Sequence, residues 1–81
     1  MRVDEKYEKF LIILGTRIKE KRLEKNLTQT ELASFIDCEV KSIQRIEKGK
    51  MNFSLRMFLL LSEALEIAPE ALLKNEIDGI I

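Results

Sequence analysis

Apolar residues along this chain recur at steps of three and four. Tyr7, Phe10 or Leu11, Leu14 and Ile18, with Leu23 a little further on, keep that rhythm, which predicts an amphipathic helix from about Glu5 to Lys25. Lys19, Glu20, Lys21 and Glu24 fall largely on its wet side. Gly15 sits inside the pattern, where glycine costs about 1 kcal/mol relative to alanine; close packing against another helix would justify it. Asn26 suits the helix end, because asparagine tolerates a left-handed backbone. Thr28-Gln29-Thr30-Glu31 then reads as a capping box, the hydroxyl accepting from the backbone N–H of Glu31 while the Glu31 carboxylate accepts from that of Thr28. It predicts a short helix from Gln29 to about Ile36 with Leu32, Ala33 and Ile36 inward, ended by Asp37. A third helix follows from Val40 to Glu47, before Gly49. Ile43 and Ile46 are its inward pair, and Lys41, Ser42, Gln44, Arg45 and Lys48 form the opposite face. Ser54 is a natural N-cap for a fourth helix, Leu55 to Leu65, apolar enough to be expected as the central buried one. Pro69 opens a fifth, since proline is favoured in the first helical turn, and Ala71, Leu72 and Leu73 supply its packing residues.

Size narrows this to one domain over residues 1–81, because 81 residues cannot enclose a second core. A single proline and three glycines leave few breaks, which favours an all-α fold over a many-turned β-fold. The longest apolar runs, Phe10 to Leu14 and Met57 to Leu61, are five residues each and too short to span a bilayer. Asp4, Glu5 and Glu8 ahead of the first run do not fit a secretory signal, so a cytoplasmic protein is expected. With no histidine and one cysteine, the usual nitrogen and sulfur ligands for a metal are missing, and so is the commonest general base. Neither a metal nor another cofactor is expected. Cys38 reads as a small hydrophobe. Glu63, Glu66 and Glu70 form a wet helix face, and no constellation supports an enzyme.

The formal net charge is zero, but its distribution is uneven. Residues 17–56 carry ten basic groups against six acidic, net +4; residues 57–81 carry Lys74 against five acidic groups, net −4. Such a molecule can present one face to phosphate and turn the other away.

The second and third helices carry the functional signal. Two short helices joined by a tight turn, with a small residue (Ala33) at their crossing, have the geometry of a helix-turn-helix. The major groove is wide enough to admit an α-helix whose exposed side chains read base edges. On those residues the chain resembles the Cro/phage-repressor helix-turn-helix family, also called the XRE family. The resemblance runs from Leu14 to Leu73 and is carried jointly by LTQTELA, by IEKGK after the third helix and by the ending SEALEIAPEALL. It implies a compact five-helix, lambda-repressor-like domain that binds double-stranded DNA, usually as a dimer on a palindromic operator, and regulates transcription, with repression ahead of activation.

The resemblance also implies roles for single residues. Lys41 and Arg45 stand where the family places base-reading side chains, with Val40 and Gln44 beside them. Gln29, first in its helix, matches the residue that holds a phosphate; Ser42, Lys48, Lys50 and Asn52 complete the phosphate-side set. Arg22 and Glu47 match an internal, half-buried ion pair that ties the first helix to the end of the third. The chain departs from the family pattern at Asp37, where glycine is usual, at Phe35, which is usually polar, at Phe53, often proline, and at Ala68, often a serine cap. Glu39 replaces a Ser or Thr at the start of the third helix. An acid there suits the helix dipole but repels phosphate, and it can instead accept from a cytosine amino group.

A protein-interaction module, or an antitoxin that both binds a partner and represses its own promoter, is the alternative reading. The surplus apolar surface of the first helix and the apolar tail Ile77, Ile80 and Ile81 motivate it. That tail is expected to cover the first helix within one chain or across a dimer.

Overall fold

The computed structural model describes residues 2–74; the tail expectation therefore lies outside the described residues. All regular structure in them is helical: α1 Val3–Glu24, α2 Gln29–Phe35, α3 Val40–Glu47, α4 Leu55–Ala64 and α5 Pro69–Leu73. The fold is all-α, as the periodicity and turn residues predicted, with helix ends within a residue or two of their expected places. None of these helices is long and apolar enough to cross a membrane.

Each helix starts and stops for a local reason. At α2 both halves of the capping box form: Glu31 N donates to Thr28 Oγ1 at 3.0 Å and Thr28 N donates to Glu31 Oε1 at 2.8 Å. Ser54 caps α4 by accepting from Met57 N at 3.0 Å, and Pro69 opens α5. The C-termini of α1, α2, α3 and α4 share one device. A residue with positive φ follows the cap: Asn26 (58°), Asp37 (54°), Gly49 (71°) and Glu66 (54°). The N–H of the next residue then reaches back to a carbonyl in the last turn. These bonds are Leu27 N to Arg22 O (3.1 Å), Cys38 N to Ala33 O (3.0 Å), Lys50 N to Arg45 O (2.9 Å) and Ile67 N to Ser62 O (3.0 Å). This is the Schellman arrangement, usually closed by an apolar residue folding back on the helix. Leu27, Cys38 and Ile67 fill that place and pack against the core.

The core is aliphatic: Leu14, Ile18, Leu32, Ala33, Ile36, Ile43, Ile46, Leu61, Leu65 and Leu72. Helix α3 packs on both α1 and α2, and α5 packs on α1 and α4. Three expectations about burial need correction, the first at Tyr7, which is 45% exposed. Leu23 is 54% exposed, because the buried stripe of α1 runs Leu14, Ile18, Arg22 in steps of four and a fifth step turns the next side chain about 100° away. Arg22 occupies the inward place assigned to Leu23. Helix α4 is not buried on all sides: Leu61 and Leu65 enter the core, while Leu55 is 73% and Leu59 46% exposed.

The backbones of α1 and of the end of α3 approach closely, and two glycines make it possible. A Cβ on Gly15 would collide with the Ile46 carbonyl oxygen and lie 2.9 Å from that of Glu47. A Cβ on Gly49 would lie 2.6 Å from the Ile12 Cα, at a φ of +71° that side chains rarely adopt. In each case backbone, which has no room to yield, is the obstacle. Gly15→Ala should therefore lower stability despite the better helix propensity of alanine. A net loss of about 1–3 kcal/mol is expected from overpacking, and each kcal/mol shifts the melting temperature of a domain this size by about 4–8 °C. A circular-dichroism melt unchanged or raised by the substitution would refute the close-contact account.

Candidate nucleic-acid interface

Helix α3 is held from behind and free in front. Its inward residues Ile43, Ile46 and Glu47 are buried, whereas Val40, Lys41, Gln44, Arg45 and Lys48 are exposed. Those five share one face, since they repeat at intervals of one, four and five residues. Ser42 is half-buried at the edge of that face, and its backbone N–H donates to Glu39 O at 3.0 Å.

The hold from behind is polar as well as apolar. Arg22 forks onto Glu47, with Nε donating to Oε2 at 2.7 Å and Nη2 to Oε1 at 3.1 Å, while Nη1 donates to the Leu27 carbonyl at 2.8 Å. The two side chains are only 8% and 3% exposed, so the pair is more deeply buried than the half-buried state first expected. Gln29 joins it, its Nε2 donating to Glu47 Oε1 at 3.0 Å. Through this cluster α1, the α1–α2 loop, the first turn of α2 and the last turn of α3 are tied together. The Gln29 amide, expected to face a phosphate, thus already has one partner inside the protein. One amide hydrogen, the amide oxygen and the backbone N–H of α2's first residue are left for any ligand.

In front of the cluster lies a cleft of about 300 Å³ lined by Lys19, Gln29, Gln44, Glu47 and Lys48. Lys19 had been assigned only to a wet helix face. Its signal in the sequence was its place three residues before Arg22, which puts both on one side of α1. Beyond α3, Lys50, Asn52 and Ser54 are exposed while Met51 and Phe53 are partly buried and pack against the core. Exposure thus alternates along the segment. Met51 and Phe53 anchor it and leave Lys50 and Asn52 on one outer side.

At the other end of α3 the surroundings are acidic. Asp37 and Glu39 are exposed there. Burial, and after it these two carboxylates, push the Cys38 thiol up from its ordinary value. The thiol stays protonated and donates to the Glu39 carbonyl at 3.5 Å; with its apolar packing, Cys38 serves structure rather than nucleophilic chemistry.

Comparison with known proteins agrees with this geometry. Residues 18–72 match the helix-turn-helix family. The chain belongs to the helix-turn-helix family. It is of the Cro/phage-repressor type, a DNA-binding, transcription-regulating class. Among solved structures it is similar to the restriction-modification controller protein C.AhdI from Aeromonas hydrophila, with 35% identity over 76% of this chain and 94% of that one and a TM-score of 0.74. It is also similar to the controller protein C.Esp1396I, solved as a tetramer in complex with its natural 35 base-pair operator, with 28% identity over 88% of this chain and 93% of that one and a TM-score of 0.75. The clp gene regulator ClgR from Corynebacterium glutamicum superposes with a TM-score of 0.81 over 88% of this chain and 76% of that one; at 20% identity it shows the shared fold. No curated protein sequence is similar enough to match.

In this helix-turn-helix protein the buried ion pair fixes the pose of α3. Removing one member strands a charge in the interior, at a cost of about 3–5 kcal/mol, whereas replacing both by apolar residues is close to neutral. Arg22→Met alone should therefore lower the urea midpoint sharply, and Arg22→Met with Glu47→Leu should recover most of the loss. Equal losses from the single and double variants would show that the ion pair is not what holds the helices.

Proposed function

We propose that this chain is a sequence-specific repressor that binds a palindromic operator in double-stranded DNA as a homodimer, acting in the cytoplasm. The observation that carries the reading is the split of α3 into a locked inner side and a free outer face bearing Val40, Lys41, Gln44 and Arg45. Lys41 and Arg45 read guanine edges, for which long cations are suited. Gln44 and Val40 supply an amide and an apolar contact beside them. Lys48, Lys50, Asn52 and Ser42 hold the phosphates that flank the groove, and such contacts set position without reading sequence. Gln29 contributes its backbone N–H and the unused part of its amide, and Lys19 lines the same cleft. The operator complex solved for the similar controller protein supports this mode of action, and repression requires only that a bound dimer occupy promoter DNA.

Base readers and phosphate holders separate in one experiment. Arg45→Ala should relax preference at one base pair by about 1–3 kcal/mol, whereas Lys50→Ala should weaken all sequences alike and reduce the salt slope by about 1. Selection from a random duplex pool, followed by binding titrations at two salt concentrations, measures both. Equal loss on specific and random DNA for Arg45→Ala would sink its role as a reader. Failure of the wild-type chain to enrich any site would instead favour a protein-interaction module.

Support for the dimer comes from α4. Leu55 and Leu59 are exposed one turn apart, next to an apolar groove of about 290 Å³ lined in part by Tyr7, Phe10, Phe53 and Phe58. A second copy related by a two-fold axis would cover this face on both chains and set two half-sites about 34 Å apart. Leu55→Asp with Leu59→Asp should give a monomer in sedimentation and weaken operator binding without unfolding the chain. A wild-type chain that sediments as a monomer, alone and on DNA, would exclude the dimer.

A further inference from the structure

Glu39 is the residue at which this chain departs most consequentially from a DNA-friendly surface, and its placement is tightly fixed. Its carbonyl accepts from Ser42 N at 3.0 Å, and the preceding residue, Cys38, is pinned by its N–H bond to Ala33 O at 3.0 Å. An uninterrupted helix would put residue 39 on the side of Ile43 and Ile46, four and seven residues on. The extended backbone of Glu39 (φ −77°, ψ 146°) takes it off that spiral, and the side chain is exposed at the leading end of α3. It makes no side-chain capping bond, and among the described residues its carboxylate has neither an ion pair nor a hydrogen bond. The helix therefore carries there a free carboxylate beside a second one, Asp37, and their negative field is felt at the Cys38 thiol between them.

When a recognition helix enters the major groove, its first residues meet base edges. A carboxylate only accepts hydrogen bonds. Phosphate offers it no donor and repels it. Guanine presents N7 and O6 and thymine O4, all acceptors; adenine offers its N6 amino group, but beside the acceptor N7. Cytosine alone presents an amino donor, N4, without an adjacent acceptor on the same base. Building on the DNA-binding reading above, we propose that Glu39 is a specificity-determining residue that requires cytosine at one position of each half-site. It acts mainly by exclusion: at any other base the carboxylate enters the groove unpaired.

The test compares wild type, Glu39→Ala and Glu39→Gln by selection from a random duplex pool, followed by titration of the four single-base variants of the enriched site. Wild type should favour cytosine at one position per half-site by roughly 10-fold or more, as expected for a good base contact. Glu39→Ala should bind the four variants about equally and bind non-cognate DNA more tightly than wild type. Glu39→Gln should move the preference toward adenine, whose N6 and N7 suit an amide. Because the Glu39 side chain makes no internal bond and only its favourable place at the helix N-terminus is lost, both variants should stay folded and melt within a few degrees of wild type. If wild type and Glu39→Ala enrich the same site with the same preference at every position, the assignment of Glu39 is overturned while DNA reading by α3 stands. If wild type enriches no site, both fall together.

Discussion

The pose of α3 rests on its contact with α1. Gly15 and Gly49 let the two backbones approach to a distance that any side chain would prevent, and the Arg22–Glu47 fork then fixes one helix against the other. Apolar packing by Ile18, Ile43 and Ile46 supplies the attraction but not the register, because dispersion and the hydrophobic effect are nearly indifferent to a rotation of a few degrees. A bidentate guanidinium–carboxylate pair is not indifferent, since its two bonds must form in one plane. The ion pair gives direction where the core gives cohesion. Its net contribution to stability is small for the same reason that losing half of it is costly: both charges have been taken out of water.

A second economy lies in the helix ends. A domain of 81 residues has little surplus stability, and a helix as short as α2, seven residues, would not persist alone. Reciprocal capping at its start and the backbone bond from Cys38 to Ala33 at its end satisfy the groups that a short helix otherwise leaves unpaired. The same turn delivers Glu39 to the start of α3. Local hydrogen bonding thus does for the turn what the α1–α3 contact does for the helix axis, and together they specify both the direction and the starting point of α3.

Much of this was legible in the residues. Thr28 with Glu31, Ser54 and Pro69 each encode a helix start through chemistry confined to one turn, and Asn26, Asp37 and Gly49 encode stops through their tolerance of positive φ. Glu66 does the same work at the end of α4, yet glutamate carries no preference for that conformation; it is imposed by Ile67 folding back onto the core, a tertiary effect. Leu23 and the outer face of α4 were misplaced because hydrophobicity indicates what can be buried, not what is. Four-residue steps along α1 brought Arg22 inward instead, and a charged side chain is chosen for burial only when a partner distant in sequence waits for it. For Arg22 the family resemblance supplies that partner, Glu47; the bond from Gln29 to Glu47 stayed hidden, since it joins residues far apart along the chain.

The zero net charge sits oddly beside a DNA-binding fold until affinity and specificity are considered separately. Phosphate attraction is the same for every sequence, so each additional cation strengthens binding to the whole genome as much as to the operator. Here Lys19, Lys41, Arg45, Lys48 and Lys50 are exposed along α3 and its flanks, while acidic Asp37 and Glu39 stand at one end of the same helix and residues 57–81 carry a net charge of −4. Weak general attraction lowers the background against which base contacts must compete. On the proposed role of Glu39, an acidic residue at the protein–DNA boundary is not a defect in the electrostatics: it would subtract from every complex and be compensated only where a base supplies a donor. Selectivity then rises as affinity falls, a balance that suits a small regulator whose target is one site among many.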